Sequence, residues 1–260
     1  MRMRTLTAIA VVTAAAGCSG ITGPAAGPSA SLSFSTRAAT TSTLPAPGFA
    51  LYANGADTVM QGTDTLIVTR AQLVLRKVEL KTQDSVSCST EQCEEFEAGP
   101  IAVDLPLGAG VQQQVAVNVP PGTYNGVEFK IHRVGSDSAD STFIAAHPDL
   151  SGVSIKVDGT FNGTAFTFTS QAEIEQELAI TPPLVVSDTT TATNLTIQVS
   201  LAGWFVNQTG GLIDPSTANP GGANESIVTS NIEQSAHVFE DDNHDGVEDH
   251  ADSTSAGTTH

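Results

Sequence analysis

The acidic stretch near the carboxyl end of the chain has the residue types and the spacing of a cation-binding loop. Side chains that carry oxygen recur at every second position, and Gly246 follows the third of them, where such a loop must turn sharply. Oxygen ligands spaced in this way suit Ca²⁺, which takes six to eight of them. The sequence therefore predicts a calcium site with these ligands: Asp241, Asn243, Asp245, the carbonyl oxygen of Val247, Asp249 and Asp252.

The same residues resemble the calcium loops of thrombospondin type 3 and dockerin modules. The resemblance rests on the run Asp245-Gly246-Val247 and on an aspartate at the twelfth position. It implies an EF-hand-like loop that binds calcium weakly, at about 10⁻⁴ to 10⁻³ M, as extracellular modules do. One copy of the motif is present, and residues 253–260 after it are expected to be a disordered tail. The alternative is an acidic tail that matches the spacing by chance.

The first residues of the chain have the features of a bacterial lipoprotein signal. Arg2 and Arg4 precede an apolar run that is too short to span a bilayer. The run ends in Ala15-Ala16-Gly17-Cys18, which resembles the box of small residues and cysteine where lipoprotein signals are cleaved. The resemblance implies lipid on Cys18 and an exported protein anchored in the cell envelope, at the outer membrane or the cell surface. An ordinary cleaved signal peptide with a chance cysteine is the alternative.

The two remaining cysteines are predicted to form a disulfide. Cys88 and Cys93 are separated by four residues within strand-like sequence, and an exported chain folds in an oxidising compartment. A bridge across so small a loop would pin a hairpin tip and stabilise it by about 2 kcal/mol. A redox or metal pair is the alternative, but redox motifs prefer two intervening residues and structural zinc requires further ligands nearby.

The acidic charge of the chain argues against nucleic acid as a partner. The 260 residues have a formal charge of −18 at pH 7, which becomes −20 when Arg2 and Arg4 are removed with residues 1–18. A field of this sign repels phosphate groups. The sequence has no nucleophile motif, phosphate-binding loop or dinucleotide glycine pattern, so a non-enzymatic protein is predicted.

Most of the sequence between residues 49 and 223 alternates apolar and polar residues, as strands buried on one face do. In residues 111–119, four valines share one face, and a Pro-Pro-Gly turn follows. Eight to ten such strands predict a mainly β domain, an antiparallel β-sandwich of the transthyretin- or immunoglobulin-like kind. One helix is predicted over residues 224–239, leading into the acidic loop as the first helix of an EF-hand does.

Part of this region resembles a domain of unknown function from bacterial and archaeal lipoproteins. The resemblance covers residues 65–203 and is carried by residues 71–80, 103–105, 119–124, 157–161, 182–184 and 196–199. It implies a β-sandwich and leaves the chemistry open. The predicted organisation is a lipoprotein signal peptide (1–18), a flexible tether (19–48), the sandwich (49–223), a helix with the calcium loop (224–252) and a disordered tail (253–260).

These predictions together describe a non-enzymatic cell-envelope lipoprotein that acts as a binding or structural module. Its expected partners are the membrane, through the N-terminal lipid, and an envelope carbohydrate or protein. A carbohydrate-binding or adhesion module at the cell surface is the first alternative, and a hydrolase of envelope polymers is a less favoured one. Trp204 and Phe205 fit an aromatic platform for sugar, although core and turn is the favoured interpretation.

Overall fold

The computed structural model describes residues 29–36, 51–53, 56–82, 93–97, 99–108, 111–187 and 193–249. The strands in these residues are β1 Ser29–Ser35, β2 Leu51–Ala53, β3 Ala56–Gln61, β4 Asp64–Thr82, β5 Cys93–Glu97, β6 Ile101–Asp104, β7 Val111–Asn118, β8 Gly122–Ile131, β9 Ile155–Phe161, β10 Thr164–Ser170, β11 Ile174–Val186, β12 Thr193–Val199 and β13 Ala236–Glu240. The helices are α1 Ser138–Ala146, α2 Leu201–Trp204 and α3 Glu225–Glu233, with short 3-10 turns at Pro148–Leu150 and Pro215–Ala218.

The strands form two sheets in which antiparallel pairing predominates, so the prediction of a mainly β fold is confirmed. The larger sheet has nine strands, and the long β4 pairs along its length with β3, β9, β6, β8 and β5. The smaller sheet has the order β13-β12-β1-β7, and its β1–β12 pair is parallel. Strands distant in sequence therefore meet in the smaller sheet.

One hydrophobic core is shared by the two sheets. Leu32 and Phe34 of β1, with Leu195 and Ile197 of β12, are completely buried in the same cluster as Leu73 of β4. Alternation along strands such as β11 sends every second side chain to this core, whereas all seven residues of β12 are buried. Each large apolar side chain buried there contributes about 1.5–3 kcal/mol, so the shared core accounts for much of the stability.

The position of β1 corrects the predicted tether. The sequence predicts flexible chain over residues 19–48, but β1 lies within that range and pairs with β12 on one side and β7 on the other. Small residues dominate the whole segment, which hides the short alternation of serine with Ala30, Leu32 and Phe34. The rest of the predicted tether, apart from Thr36, lies outside the described residues.

The predicted helix over residues 224–239 is shorter in the structure. Helix α3 ends at Glu233, and the chain then extends as β13, which pairs with β12. The apolar residues Ala236 and Phe239 continue the helical spacing of Val228 and Ile232 by coincidence but belong to the strand. A strand therefore enters the acidic loop, and the predicted EF-hand-like entering helix is wrong.

Helix α1 covers the outer face of the larger sheet, which is the face turned away from the shared core. Four buried residues form a separate small core beneath it: Val74, Val134, Phe143 and Leu150. The structure thus has three α-helices among the described residues, where the sequence predicts one helix over residues 224–239 and a short helical turn over residues 141–147, most of which lies in α1. None of these helices is long and apolar enough to cross a membrane.

Candidate metal-binding loop

The acidic loop, residues 241–249, starts directly after β13 and packs against β12. The backbone N–H of Asp241 donates to the carbonyl oxygen of Asn194 over 2.9 Å. The side-chain amide of Asn194 donates in return to the carbonyl oxygen of Asp241, also over 2.9 Å. These two bonds continue the β12–β13 pairing past the strand end and fix where the loop begins.

The carboxylate of Asp241 is completely buried and fully hydrogen-bonded. Its Oδ1 accepts the N–H of Asp245 at 2.9 Å. Its Oδ2 accepts the hydroxyl of Thr196 at 2.8 Å and the N–H of Gly246 at 3.0 Å. Among the described residues no basic side chain forms an ion pair with Asp241. A buried negative charge is thus held by uncharged donors alone.

Local turns give the acidic loop its shape. The side-chain oxygens of Asn243 and Asp245 each accept the backbone N–H two residues later, at 2.8 Å in both cases. Asx turns of this kind bend the chain and hold the side-chain oxygens close to the backbone. Gly246 adopts a φ of 77°, a left-handed conformation that glycine reaches without a steric penalty. The predicted sharp turn at this glycine is confirmed.

Asp249 brings the end of the loop back to its beginning. Its two carboxylate oxygens accept the N–H of Asp242 at 2.6 Å and the side-chain amide of Asn243 at 3.1 Å. The carboxylate of Asp242 instead accepts the N–H of Asn194 at 2.8 Å. Asp242 is therefore used to attach the loop to β12, which agrees with its absence from the predicted ligand set.

The structure brings five of the six predicted ligands into one loop, and Asp252 lies outside the described residues. The side chain of Val247 is apolar and exposed, so the backbone carbonyl oxygen is the atom of this residue that could bind a cation. In the described part of the chain, however, no three His, Cys, Asp or Glu side chains converge as a metal site. The calcium site therefore stays a prediction.

A buried polar chain links the acidic loop to β1, and the sequence offered no expectation of it. The side-chain oxygen of Asn194 accepts the hydroxyls of Ser31 at 2.7 Å and Ser33 at 2.8 Å. The amide of the same residue reaches Asp241, as described above, and Thr196 at 3.1 Å. Asn194 thus connects the first and last parts of the smaller sheet through one side chain.

One histidine lies beside the loop and is uncharged at neutral pH. Burial lowers the pKa of His237 on β13, and the negative charge of Glu248 opposes that shift only in part. Since the ordinary pKa of histidine is about 6.5, a lowered value leaves the ring neutral at pH 7. His237 therefore adds no positive charge that would repel a cation from the loop.

The other predicted site residues are outside this loop. Cys18 and Cys88 lie outside the described residues, and Cys93 is described only as the first residue of β5. The lipid anchor and the disulfide stay predictions. Trp204 and Phe205 are completely buried, and the indole N–H of Trp204 donates to the hydroxyl of Ser235 at 2.8 Å. The interpretation of this pair as core is confirmed, so it forms no sugar platform.

The resemblances to lipoprotein domains and to calcium loops have no independent support and stay predictions. Comparisons with known protein families, with curated proteins and with solved structures found no match to this chain.

Proposed function

We propose that the protein is a non-enzymatic cell-envelope lipoprotein that acts as a binding or structural module. Its two sheets form a β-sandwich of the transthyretin- or immunoglobulin-like kind, anchored at the membrane by the N-terminal lipid. Calcium in the acidic loop stabilises the smaller sheet. The sandwich arrangement is supported by the single core to which both sheets contribute.

The calcium part of the proposal rests on the carboxylate of Asp241. This group is completely buried and has no basic partner among the described residues. Buried charges in proteins are usually paired or bind metals. The side chains of Asn243, Asp245 and Asp249 lie in the same turn and carry the hard oxygen atoms that calcium prefers. Calcium would supply the missing positive charge.

The proposed role of calcium is structural because of what the loop contacts. The loop is bonded to β12 through Asn194, and Asn194 is bonded to Ser31 and Ser33 of β1. Occupancy of the loop would therefore strengthen the smaller sheet at the point where the two ends of the described chain meet. Calcium at about ten times its dissociation constant would add about 1.4 kcal/mol to the free energy of unfolding.

We expect millimolar calcium to raise the thermal unfolding temperature of the full chain and Asp245→Asn to remove most of that increase. The substitution removes one charged ligand, and ligand charge sets the affinity of such loops. The asparagine oxygen can still accept the N–H of Val247, so the turn is kept. Calorimetric unfolding with calcium and with chelator measures the effect.

Glu248→Gln is the matched control, because Glu248 belongs to the same loop but to none of the predicted ligand positions. It removes the same charge and should leave the calcium response unchanged. An equal response in Asp245→Asn and wild type would contradict the proposed site. If millimolar calcium does not change the unfolding temperature of the wild type, the calcium-binding proposal is contradicted.

We expect Cys18→Ser to move the protein from the membrane fraction to the soluble fraction. Serine cannot receive the thioether-linked lipid, and the lost acyl chains contribute about 0.8 kcal/mol for each buried CH₂. Fractionation of cells that express the full chain gives the distribution. Cys93→Ser is the control and should stay with the membrane. A Cys18→Ser protein that remains membrane-bound would contradict the anchor.

A further inference from the structure

A second cluster of charged side chains, distant from the acidic loop in sequence, surrounds His132 just after β8. We call it the His132 cluster and define it as His132, Arg76, Asp137, Asp140 and Glu173. His132 is only 5% exposed and Asp140 is completely buried, whereas the other three side chains are partly exposed. The cluster joins β4, the end of β8, the start of α1 and the residue before β11.

Both ring nitrogens of His132 face a carboxylate. Nε2 lies 2.9 Å from Oδ2 of Asp140 and 3.2 Å from Nη1 of Arg76. Nδ1 lies 3.4 Å from Oε1 of Glu173 and, although buried, makes no hydrogen bond of good geometry. The ring therefore sits between two acceptors and beside one donor.

Each neutral form of the ring leaves one nitrogen poorly matched. With the proton on Nε2, the ring donates to Asp140, but the bare Nδ1 faces the oxygen of Glu173. With the proton on Nδ1, the bare Nε2 accepts from Arg76 but faces the oxygen of Asp140. The imidazolium form offers an N–H to both carboxylates, and Arg76 keeps Asp137 as an acceptor at 3.3 Å.

The charges around the ring favour the same form. The cluster contains three carboxylates, those of Asp137, Asp140 and Glu173. Two permanent cations lie beside them: Arg76, and Lys130, which forms an ion pair with Glu173 at 3.3 Å. The hydrogen bond from the N–H of Asp140, helped by Arg76, lowers the pKa of Asp137, so that group is ionised at neutral pH. A protonated ring brings the group to neutrality.

The cluster is attached to the first turn of α1. Oδ2 of Asp140 also accepts the N–H of Gly135 at 2.6 Å, and Asp137 caps the helix by accepting the N–H of Asp140 at 2.9 Å. Beyond these contacts, the segment is held by the small core of four buried residues described above and by the ion pair between Asp149 and Lys156 of β9, at 2.9 Å. The polar contacts of His132 are thus one of three attachments of this segment to the sheet.

We propose that protonation of His132 fastens the segment of residues 133–153 to the outer face of the larger sheet, and that deprotonation loosens it. The direction of this pH dependence follows from the contacts of the ring. The ion pair between Nδ1 and Glu173, whose atoms lie 3.4 Å apart, exists only while the ring carries both protons, so the fastening is present at low pH and weakens as pH rises. Histidine is the side chain whose charge ordinarily changes between pH 5 and 8, so the attachment of this segment to the sheet would respond to pH in that range.

Hydrogen–deuterium exchange of the full chain at about pH 5.5 and about pH 8 tests this proposal. After correction for intrinsic exchange rates, we expect amides of α1 to open about tenfold more often at the higher pH, because deprotonation leaves the buried Nδ1 facing Glu173 without a proton to offer. Residues 155–170, the β9–β10 hairpin, serve as the internal reference and should not change.

His132→Gln should abolish the pH dependence of α1 and leave it open at both pH values. His147→Gln is the matched control, because His147 also belongs to the segment but stacks on Phe143 and is outside the cluster. It should keep the wild-type pH dependence. The proposal is overturned if the exchange protection of α1 in the wild type does not change with pH. It is also overturned if His132→Gln keeps the wild-type pH dependence. If His132→Gln does not fold, ring ¹⁵N shifts of the wild type decide, and a neutral ring at pH 5.5 overturns it.

Discussion

Removal of residues 1–48 is expected to leave a chain that does not fold, although the domain predicted from the sequence begins at residue 49. The deletion takes away β1, the strand that joins β12 to β7 in the smaller sheet. The side chains of Ala30, Leu32 and Phe34 leave the core, where all three are completely buried. Their burial alone contributes about 5 kcal/mol, comparable with the whole stability of many domains.

The loss of β1 also leaves polar groups without partners. The backbone groups of β12 and β7 that pair with β1 would face each other across a gap, and unpaired backbone groups are rarely tolerated in an interior. The side chain of Asn194 would lose the hydroxyls of Ser31 and Ser33 as well. Because Asn194 also fixes Asp241, the effect should reach the acidic loop.

A chain that begins at residue 19 is the matched control, since it lacks the predicted signal peptide and the proposed anchor but keeps β1. Circular dichroism and urea unfolding should show cooperative folding for this chain and not for the one that begins at residue 49. Phe34→Ala in the longer chain should be intermediate, with a loss of about 3–5 kcal/mol. Equal stability of the two truncated chains would contradict a central position for β1.

The parts of the fold that local sequence determines were predictable. Alternating valines correctly predict β7, and Asn162-Gly163, a dipeptide typical of hairpin turns, joins β9 to β10. Both residues of that turn have positive φ, 51° and 81°, as its type requires. The acidic loop belongs to the same class, since its turns are built by Asn243 and Asp245 within a few residues.

The parts that depend on distant contacts were not predictable. The parallel pairing of β1 with β12 joins residues more than 160 positions apart, and nothing in the composition of either strand specifies it. His132 directly follows β8 and continues the polar face of that strand, a face that is ordinarily exposed when polar and apolar residues alternate. It is buried because α1, from an excursion between β8 and β9, covers that face. Asp241 is also buried by a distant segment, because its loop packs against β12.

Asp241→Ala is expected to lower the free energy of unfolding by about 3 kcal/mol in the presence of a chelator, independently of any bound calcium. The substitution leaves the hydroxyl of Thr196 and the N–H groups of Asp245 and Gly246 without their acceptor. Thr196 and Gly246 are buried, and each buried donor without a partner costs about 1–3 kcal/mol.

Asp245→Asn in chelator separates this structural effect from the loss of a charge. It removes a carboxylate from the same loop but retains the oxygen that accepts the N–H of Val247, so its stability should lie within about 0.5 kcal/mol of the wild type. Urea unfolding of the three proteins gives the comparison. If Asp241→Ala is as stable as Asp245→Asn, the buried carboxylate does not hold the loop against β12. A large loss confined to Asp241→Ala means that the loop is folded before calcium binds, and that calcium adds to an existing structure.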